Sequence, residues 1–345
     1  MYKNFFFLLT TLFLTLCSIA AQAQYTADYY YQLNQENFKD TKYTPQRTRS
    51  LVIYGDDPQE IIEFSLNHKL YTNLEVLQLM TDNITVLDTV WKNLTNLKML
   101  RINNTNLQTI PKNIAQSTNI VYLNLENNAL TEIPYHLSVL PHLIALDLGS
   151  TLNGGNKIKV IDERILQFKN LKSLYISLNP LDSICPAFCR LKELVVFNCS
   201  QTNIKTLPTN FGNLRQLKSL RISSNPLTKL PATFAALDSL VQLDIAYLPN
   251  CVTLSNYDFL NNFKQLNVID VSLASERVLP KQLSNLPNLT HLNIYGASKL
   301  DFESTIAQLK LIKNLQYALF VNHNFNAKQR SIFNKKMFPV EIQFI

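Results

Sequence analysis

The sequence predicts an α/β repeat solenoid, and three observations support this prediction. First, a motif recurs along the 345-residue chain at steps of mostly 23 residues. Second, apolar residues alternate within each copy at positions 4 and 6, as on one face of a short strand, and recur at positions 11, 14, 18 and 21. Third, several copies carry proline at position 15. Because one copy cannot bury its apolar face alone, neighbouring copies must stack into a parallel sheet over a continuous core.

Each copy begins at an apolar residue, and the copies follow one another in register. Their first residues are Leu74, Leu97, Ile120, Leu143, Leu171, Leu194, Leu217, Leu240, Leu266, Leu289 and Leu315. The stretch LKSLRISSNPLTKLPATFAALDS, which begins at Leu217, is representative. A weaker copy covers 48–73. We therefore assign residues 48–325 to a solenoid of about twelve parallel strands.

Positions 9 and 15 predict how each copy leaves its strand. Asparagine occupies position 9 at Asn128, Asn179 and Asn225, where an inward amide can satisfy the backbone groups that a bend leaves unpaired. We interpret these asparagines as structural. Proline at position 15 fixes φ and removes a hydrogen-bond donor, which delays any regular helix. The connecting face should therefore consist of turns, 3₁₀ segments and short helices.

The full pattern, L-x-x-L-x-L-x-x-N-x-L-x-x-[IL]-P, resembles the leucine-rich-repeat family, in particular the 23-residue repeats of exported bacterial proteins. The resemblance covers nearly all of the chain after its first 47 residues. It implies a curved horseshoe with a concave parallel sheet and a convex face of turns, 3₁₀ segments and short helices. It also implies a protein without enzymatic activity that recognises a protein or peptide through its concave face and inserted loops.

The two ends of the chain depart from the repeat. Residues 1–23, MYKNFFFLLTTLFLTLCSIAAQA, have the charged start, apolar run and small-residue end of a signal peptide. We therefore predict export to the periplasm, cell surface or extracellular space, with lipid modification of Cys17 as the alternative. No later apolar run is long enough to predict a transmembrane segment. Residues 24–47 are predicted to form an N-terminal cap or leader, and residues 326–345 a C-terminal cap with a helix and a final strand.

Composition and motif searches argue against several classes of function. Acidic and basic residues are interleaved under a net charge of +7, which does not favour nucleic-acid binding. The five histidines have no metal-ligand spacing, and no catalytic motif is present, so we predict no metal, no cofactor and no enzymatic activity. The sequence does not assign disulfide pairing among the four cysteines that follow the predicted signal peptide, which are Cys185, Cys189, Cys199 and Cys251.

One copy contains an insertion, GSTLNGGN, between a strand end at Leu148 and Ile158. Its glycine spacing is similar to that of a phosphate-binding loop, but the required lysine and hydroxyl residues are absent. We expect its glycines to allow positive φ at a loop tip. Insertions in repeat proteins often lie on the binding face, so we add this loop to the candidate site, with the residues Gly149, Asn153, Gly154 and Gly155.

The remaining candidates lie at positions 3, 5 and 7, whose side chains should point away from the core. They are Tyr122, Asn124, Tyr175, Arg221, Asp244, Asp270, Tyr295 and Tyr317. Tyrosine and arginine are enriched at interface hot spots, and Asp244 and Asp270 are expected to be neighbours one repeat apart. The partner would be a protein or peptide. Glycan binding and a passive adhesion or envelope role are the alternatives.

Overall fold

In the computed structural model, the described residues are 36–41, 44–55, 57–82, 84–150, 155–251, 257–273 and 275–345. The predicted signal peptide with Cys17, and most of the predicted N-terminal cap, lie outside them. The chain divides into two compact units. Unit 1 ends at Leu181 but also includes Glu193–Val196, and unit 2 comprises Asp182–Lys192 and Phe197–Ile345.

The strands of unit 1 are short, and all except β7 pair in parallel. They are β1 (Glu36–Asn37), β2 (Ser50–Tyr54), β3 (Val76–Met80), β4 (Met99–Ile102), β5 (Tyr122–Asn124), β6 (Ala145–Asp147), β7 (Val160–Ile161) and β8 (Ser173–Tyr175). They pair in the order β1-β2-β3-β4-β5-β6-β8. Each repeat therefore contributes one strand beside that of the preceding repeat, as the 23-residue spacing predicts.

Unit 2 has the same organisation. Its strands are β9 (Ser183–Ile184), β11 (Ser219–Arg221), β12 (Gln242–Asp244), β13 (Val268–Ser272), β14 (His291–Tyr295), β15 (Tyr317–Val321) and β16 (Glu341–Phe344), and β10 (Val196–Asn198) begins at the last residue of unit 1. Strands β11 to β16 pair in sequence order, all parallel. Within residues 48–325, twelve strands of the described residues follow this pattern, as predicted, and the full order contains fourteen. The predicted cap segments contribute two of them, β1 and β16.

Short helices and 3₁₀ segments connect the strands, as predicted. The α-helices are α1 (Phe38–Thr41), α2 (Pro58–Asn67), α3 (Phe302–Leu309) and α4 (Ala327–Met337). The 3₁₀ segments are Pro45–Arg47, His68–Leu70, Ile84–Leu87, Trp91–Asn93, Lys112–Gln116, Tyr135–Val139, Glu163–Gln167, Pro186–Arg190, Phe211–Asn213, Ala232–Ala236, Asp258–Asn262, Lys281–Asn285 and Ala297–Lys299. Several begin directly after a position-15 proline, as after Pro111, Pro231 and Pro280. Among the described residues, no helix has both the length and the apolar character that crossing a bilayer requires.

The core contains the side chains that the repeat pattern predicts. In the copy that begins at Leu217, Leu220, Ile222 and Leu227 are fully buried. Phe234, at position 18 of that copy, stacks on Phe211 of the preceding copy with ring centroids 6.4 Å apart. Burial of these side chains is the main stabilising contribution of each repeat, because no repeat has a core of its own.

The position-9 asparagines form the structural ladder that the sequence predicts. Asn225 is buried, and its Nδ2 donates to the carbonyl oxygens of Cys199 and Ile222, both at 2.9 Å. Asn179 bonds the carbonyl oxygens of its own and the preceding repeat in the same way. Each amide therefore links two successive turns at the point where the strand ends, which leaves it no role in ligand contact.

A second asparagine ladder, which the sequence analysis missed, occupies the residue before the first position of six copies. There Asn96 donates to the carbonyl oxygen of Thr72 and Asn119 to that of Thr95, both at 2.6 Å. Equivalent bonds are made by Asn73, Asn170, Asn288 and Asn314. The asparagine in the repeated Asn-Leu pair was the available signal, and it marks the entry to the strand as position 9 marks the exit.

Cysteines and the C-terminal segment complete unit 2. Cys185, Cys189 and Cys199 are free thiols, and Cys251 is buried. Cys189 and Cys199 are buried core residues, and burial raises the pKa of Cys189 to about 12 and also raises the pKa of Cys199. Helix α4 and β16 correspond to the helix and final strand predicted near the C-terminus. There Phe320, Phe333 and Phe344 pack with ring centroids 5.4 to 5.6 Å apart, which covers the core behind β15.

Candidate functional site

The position-5 side chains of unit 2 bring four polar residues into one row on the face opposite the core, which we call the open face. Strand register aligns Arg221 with Asp244, Asp244 with Asp270, and Asp270 with Asn293. Adjacent strands lie about 4.8 Å apart, so these side chains are consecutive neighbours. The predicted proximity of Asp244 and Asp270 is confirmed. We call these four residues the acidic row.

Hydrogen bonds hold the two carboxylates of the acidic row in place. Asp244 accepts a bond from the Ser223 hydroxyl at 2.7 Å and one from the backbone N–H of Ala246 at 3.2 Å. Asp270 accepts one from Nδ2 of Asn293 at 2.6 Å. These bonds fix the orientation of both carboxylates on the open face.

Burial raises the pKa of both carboxylates, and like charge adds to the increase for Asp270. Burial raises the pKa of Asp244, while Ser223 and Arg221 partly oppose this increase. Burial also raises the pKa of Asp270, and the negative charge of Asp244 raises it further. Two carboxylates that share one site cannot both ionise easily. The pair can therefore hold a proton near neutral pH or be stabilised by an added positive charge.

Two tyrosines flank the acidic row. Tyr295 is the last residue of β14, and the pKa of its hydroxyl is raised by burial and by the charges of Asp270 and Asp244. Its ring lies 5.2 Å from that of Tyr247, with the planes tilted by 52°. Tyr247 is 44% exposed, and its backbone N–H donates to Oγ of Ser272 at 2.7 Å. Sequence analysis identified Tyr295 but missed Tyr247, which stands one position after the outward position 7.

Tyr247 also has an unusual backbone conformation. Its φ is 53°, in the left-handed region that bulky residues seldom adopt. Position 8 takes this conformation in several copies, at Asn104, Asn127, Leu178, Gln201, Ser224 and Asn322. Asparagine tolerates this conformation well, whereas it costs a tyrosine or a leucine some strain, and its recurrence shows that the repeat backbone sets it. Beside Tyr247 a groove of about 840 Å³ is lined by Pro226, Leu248, Tyr257 and Gly296.

The corresponding row of unit 1 contains Arg101, Asn124 and Asp147. Asn124 donates to Glu126 at 3.1 Å, and the Tyr122 hydroxyl lies 3.4 Å from Asp147. Burial, followed by the charge of Glu126, raises the pKa of Asp147 to about 7. Unit 1 therefore repeats the combination of one arginine and a carboxylate whose pKa is raised.

Two predicted site residues of unit 1 are much less exposed than the sequence analysis expected. Tyr122 is 5% exposed and Asn124 is fully buried. Tyr122 belongs to a buried cluster with Val76, Met99 and Ala145, all at position 3 of adjacent copies. Because strands are close together, side chains in one column pack against each other even on the open face. A direct contact role for Tyr122 and Asn124 stays a prediction without support from exposure.

The last two tyrosines lie apart from the acidic row. Tyr175 is partly buried and packs against Val195 and Val196. Tyr317, on β15, stacks on His291 with ring centroids 5.7 Å apart, and its hydroxyl donates to Gln343 at 3.1 Å. Of the eight predicted contact residues, the structure therefore brings together Arg221, Asp244, Asp270 and Tyr295.

The structure describes part of the inserted loop. Asn153 and Gly154 lie outside the described residues, whereas Gly149 and Gly155 are described. Neither of these two has the positive φ that we expected. Glycine is needed at position 155 because there is no space for a side chain. A Cβ on Gly155 would lie 2.4 Å from the carbonyl oxygen of Leu178. The next residue, Asn156, is buried and donates to the carbonyl oxygens of Leu125 and Leu148, so it is the position-9 asparagine of its copy.

Comparisons with known proteins agree with this architecture. The family model of the leucine-rich repeat region matches residues 163–339. A leucine-rich repeat protein of Leptospira interrogans is similar over 90% of this chain and 99% of its own, with 20% identity and a TM-score of 0.51. An internalin (inlF) of Listeria monocytogenes is similar over 89% and 95%, with 18% identity and a TM-score of 0.53. The functional domain of InlJ from the same organism is similar over 81% and 59%, with 18% identity and a TM-score of 0.52. None of the curated proteins matches this chain.

At these identities the solved structures support the fold alone. The family model spans just over half of the 345 residues, and the repeat register, the asparagine ladder and the parallel sheet extend the same pattern to residues before it. The chain therefore belongs to the leucine-rich repeat family.

Proposed function

We propose that this protein is an exported recognition protein that binds a protein or peptide through the open face of its sheet. The observation that carries the proposal is the acidic row of unit 2, where polar groups lie beside the exposed Tyr247. Membership of the leucine-rich repeat family favours interaction over catalysis, since such repeats typically serve as interaction scaffolds.

The geometry supports recognition better than chemistry. Asp244 and Asp270 accept hydrogen bonds from a serine, a backbone N–H and an asparagine, and none of these bonds comes from a histidine that could activate the Ser223 hydroxyl as a nucleophile. Arg221 and Tyr295 at the same place belong to the residue types that dominate interface energetics. The loop around Gly149 to Asn156 is proposed as a further contact, with Asn156 excluded because it serves the scaffold.

A pull-down with chemical cross-linking tests this function. The purified protein is compared with Arg221→Glu on the open face and with Arg215→Glu, an equal charge reversal at an exposed residue on a connecting segment. We expect one saturable partner whose recovery falls at least tenfold for Arg221→Glu and is unchanged for Arg215→Glu. Equal recovery with all three proteins would exclude the open face of unit 2. A complete lack of saturable partners would favour the passive adhesion or envelope role.

Glycan binding is the second candidate, and the Tyr247–Tyr295 pair favours it because sugars pack on aromatic faces beside carboxylates. A glycan array distinguishes it from protein binding.

Export is tested separately by mass spectrometry of the mature N-terminus. We expect Gln24 as the first residue, whereas a lipid-modified Cys17 would support the alternative.

A further inference from the structure

We infer that the acidic row binds a cationic side chain, the ammonium group of a lysine or the guanidinium group of an arginine, presented by the partner. This inference rests on the proposed recognition function and names the chemistry of the partner group. Three independent features of the row carry it: its charge balance, a buried acceptor without a donor, and the adjacent aromatic pair.

The charge balance of the row leaves a place for one more cation. Arg221 carries one positive charge against two negative charges on the ionised Asp244 and Asp270. Arg221 favours ionisation of both carboxylates, yet burial and mutual repulsion still outweigh it. A cation delivered by a partner would balance the row and remove the repulsion between the carboxylates.

Asn293 provides an acceptor that points to the same ligand. This residue is 3% exposed, and its Oδ1 has no hydrogen-bond partner. Its Nδ2 donates to Asp270 at 2.6 Å, so Oδ1, on the same amide carbon, lies at the edge of the carboxylate pair. A buried acceptor without a donor is costly. A cationic group would donate to Asn293 and to both carboxylates, since an ammonium has three donors and a guanidinium five.

The aromatic pair favours an organic cation over a metal ion. Tyr247 and Tyr295 have their rings 5.2 Å apart beside the carboxylates, and the Tyr247 ring is exposed. Tyrosine faces attract alkylammonium and guanidinium groups. Calcium, by contrast, takes six to eight oxygen ligands. The row offers two carboxylates and one amide oxygen, and the cationic Arg221 adjoins them. The groove beside Tyr247 can accept the apolar stem or a neighbouring residue of the partner.

Three capped tripeptides test the inference by saturation-transfer difference NMR, which detects weak ligands of a large protein. Acetyl-Gly-Lys-Gly-amide and acetyl-Gly-Arg-Gly-amide are compared with acetyl-Gly-norleucine-Gly-amide, which keeps the apolar stem without the charge. We expect at least one charged peptide to bind at least tenfold more tightly than the norleucine peptide. The stronger of the two charged peptides then identifies the preferred cation. Equal signals from all three peptides would overturn the inference.

Matched variants locate the binding. Asp270→Asn and Asp244→Asn are expected to weaken binding of the charged peptide at least tenfold, and Asn293→Ala about threefold. Asp238→Asn, the same change at an exposed carboxylate on a connecting segment, should leave binding unaltered. Thermal melting confirms that each variant is folded, and Asp270→Asn should melt no lower than the wild type because it removes a repulsive charge. Undiminished peptide binding by a folded Asp270→Asn variant would overturn the assignment.

A calcium chloride titration tests whether a metal ion binds the acidic row in place of a cationic side chain. If the protein binds calcium, Asp244→Asn abolishes that binding, and the charged peptides bind no better than the norleucine peptide, then the ligand of the row is a metal ion and not a cationic side chain. Failure of this inference can also be told apart from failure of the proposed function. If the cross-linked partner is lost from Asp270→Asn although no charged peptide binds, recognition stands and the cation assignment is wrong. If Asp270→Asn captures the partner as well as wild type, the acidic row is not the binding site.

Discussion

Replacement of Asn225 should be costly, and the cost should depend on the chemistry of the new side chain. Asn225 is 2% exposed. Its Nδ2 donates to the carbonyl oxygens of Cys199 and Ile222 at 2.9 Å, and its Oδ1 accepts from the Thr202 hydroxyl at 2.6 Å. The amide therefore joins two successive turns of unit 2 through three short hydrogen bonds.

The magnitude follows from these contacts. Asn225→Ala removes all three bonds, and each is worth about 1 kcal/mol net, more where the remaining group stays buried without a partner. We therefore expect the free energy of unfolding to fall by about 3 kcal/mol. Asn225→Asp keeps the shape and the acceptor for Thr202, but it places a carboxylate oxygen where the amide donated to two carbonyl oxygens. A buried charge that faces acceptors costs more than a lost bond, so Asp should be worse than Ala at pH 8.

Urea unfolding followed by circular dichroism measures both effects. Asn262→Ala is the matched control, because Asn262 is exposed on a connecting segment, and it should change stability by less than about 0.5 kcal/mol. The deficit of Asn225→Asp should shrink at acid pH, where the protonated carboxyl group regains a donor. An Asn225→Ala protein as stable as the control, or an Asn225→Asp protein more stable than Asn225→Ala at pH 8, would refute the ladder as the source of stability.

Three further predictions concern the core, the titration of unit 1 and the C-terminus. Phe234→Ala should destabilise the protein by about 3–5 kcal/mol in urea unfolding, because the ring contacts Phe211 and Phe263; a loss below 1 kcal/mol would contradict its core role. The pKa of Asp147 is raised from 3.8 to about 7, so the folded state retains a proton that the unfolded chain releases, and stability should fall as pH rises across this interval. Asp147→Asn should flatten that fall in melting temperature, and an unchanged slope would disprove it. Deletion of 336–345 removes β16 and exposes the edge of β15, so the protein should aggregate, whereas unchanged solubility and melting would argue against this.

The repeat fixed the fold because its period and its apolar positions are strong signals. Leu220, Ile222 and Leu227 were predicted to be buried from alternation and spacing alone, and all three are. The structural role of Asn225 followed from a general requirement, since a bend leaves backbone groups that need partners. Such scaffold features can be recognised in a single sequence because they recur from repeat to repeat.

The site was less predictable because alternation indicates a face of the sheet and not the exposure of a side chain on it. Tyr122 was assigned correctly to the open face, but its column neighbours Met99 and Ala145 bury it. Tyr247 was missed for the opposite reason. Position 8 lies outside the alternating strand, so the residue pattern does not give the direction of its side chain, and the Tyr247 ring lies 5.2 Å from that of Tyr295. Both errors arise from backbone geometry and from the spacing between strands, which the residue pattern does not encode.

Tyr247 shows how function can be separated from scaffold in a repeat protein. Position 8 adopts the left-handed conformation at Asn104 and Asn127, where asparagine satisfies it at little cost. A tyrosine in the same conformation gains nothing for the turn and costs roughly 1–3 kcal/mol of strain. Its exposed ring also adds little to the core. Because Leu178 and Gln201 adopt the same conformation, the backbone at position 8 is set by the repeat. What distinguishes Tyr247 is its exposed ring, which lies beside Tyr295 near two carboxylates whose pKa values are raised.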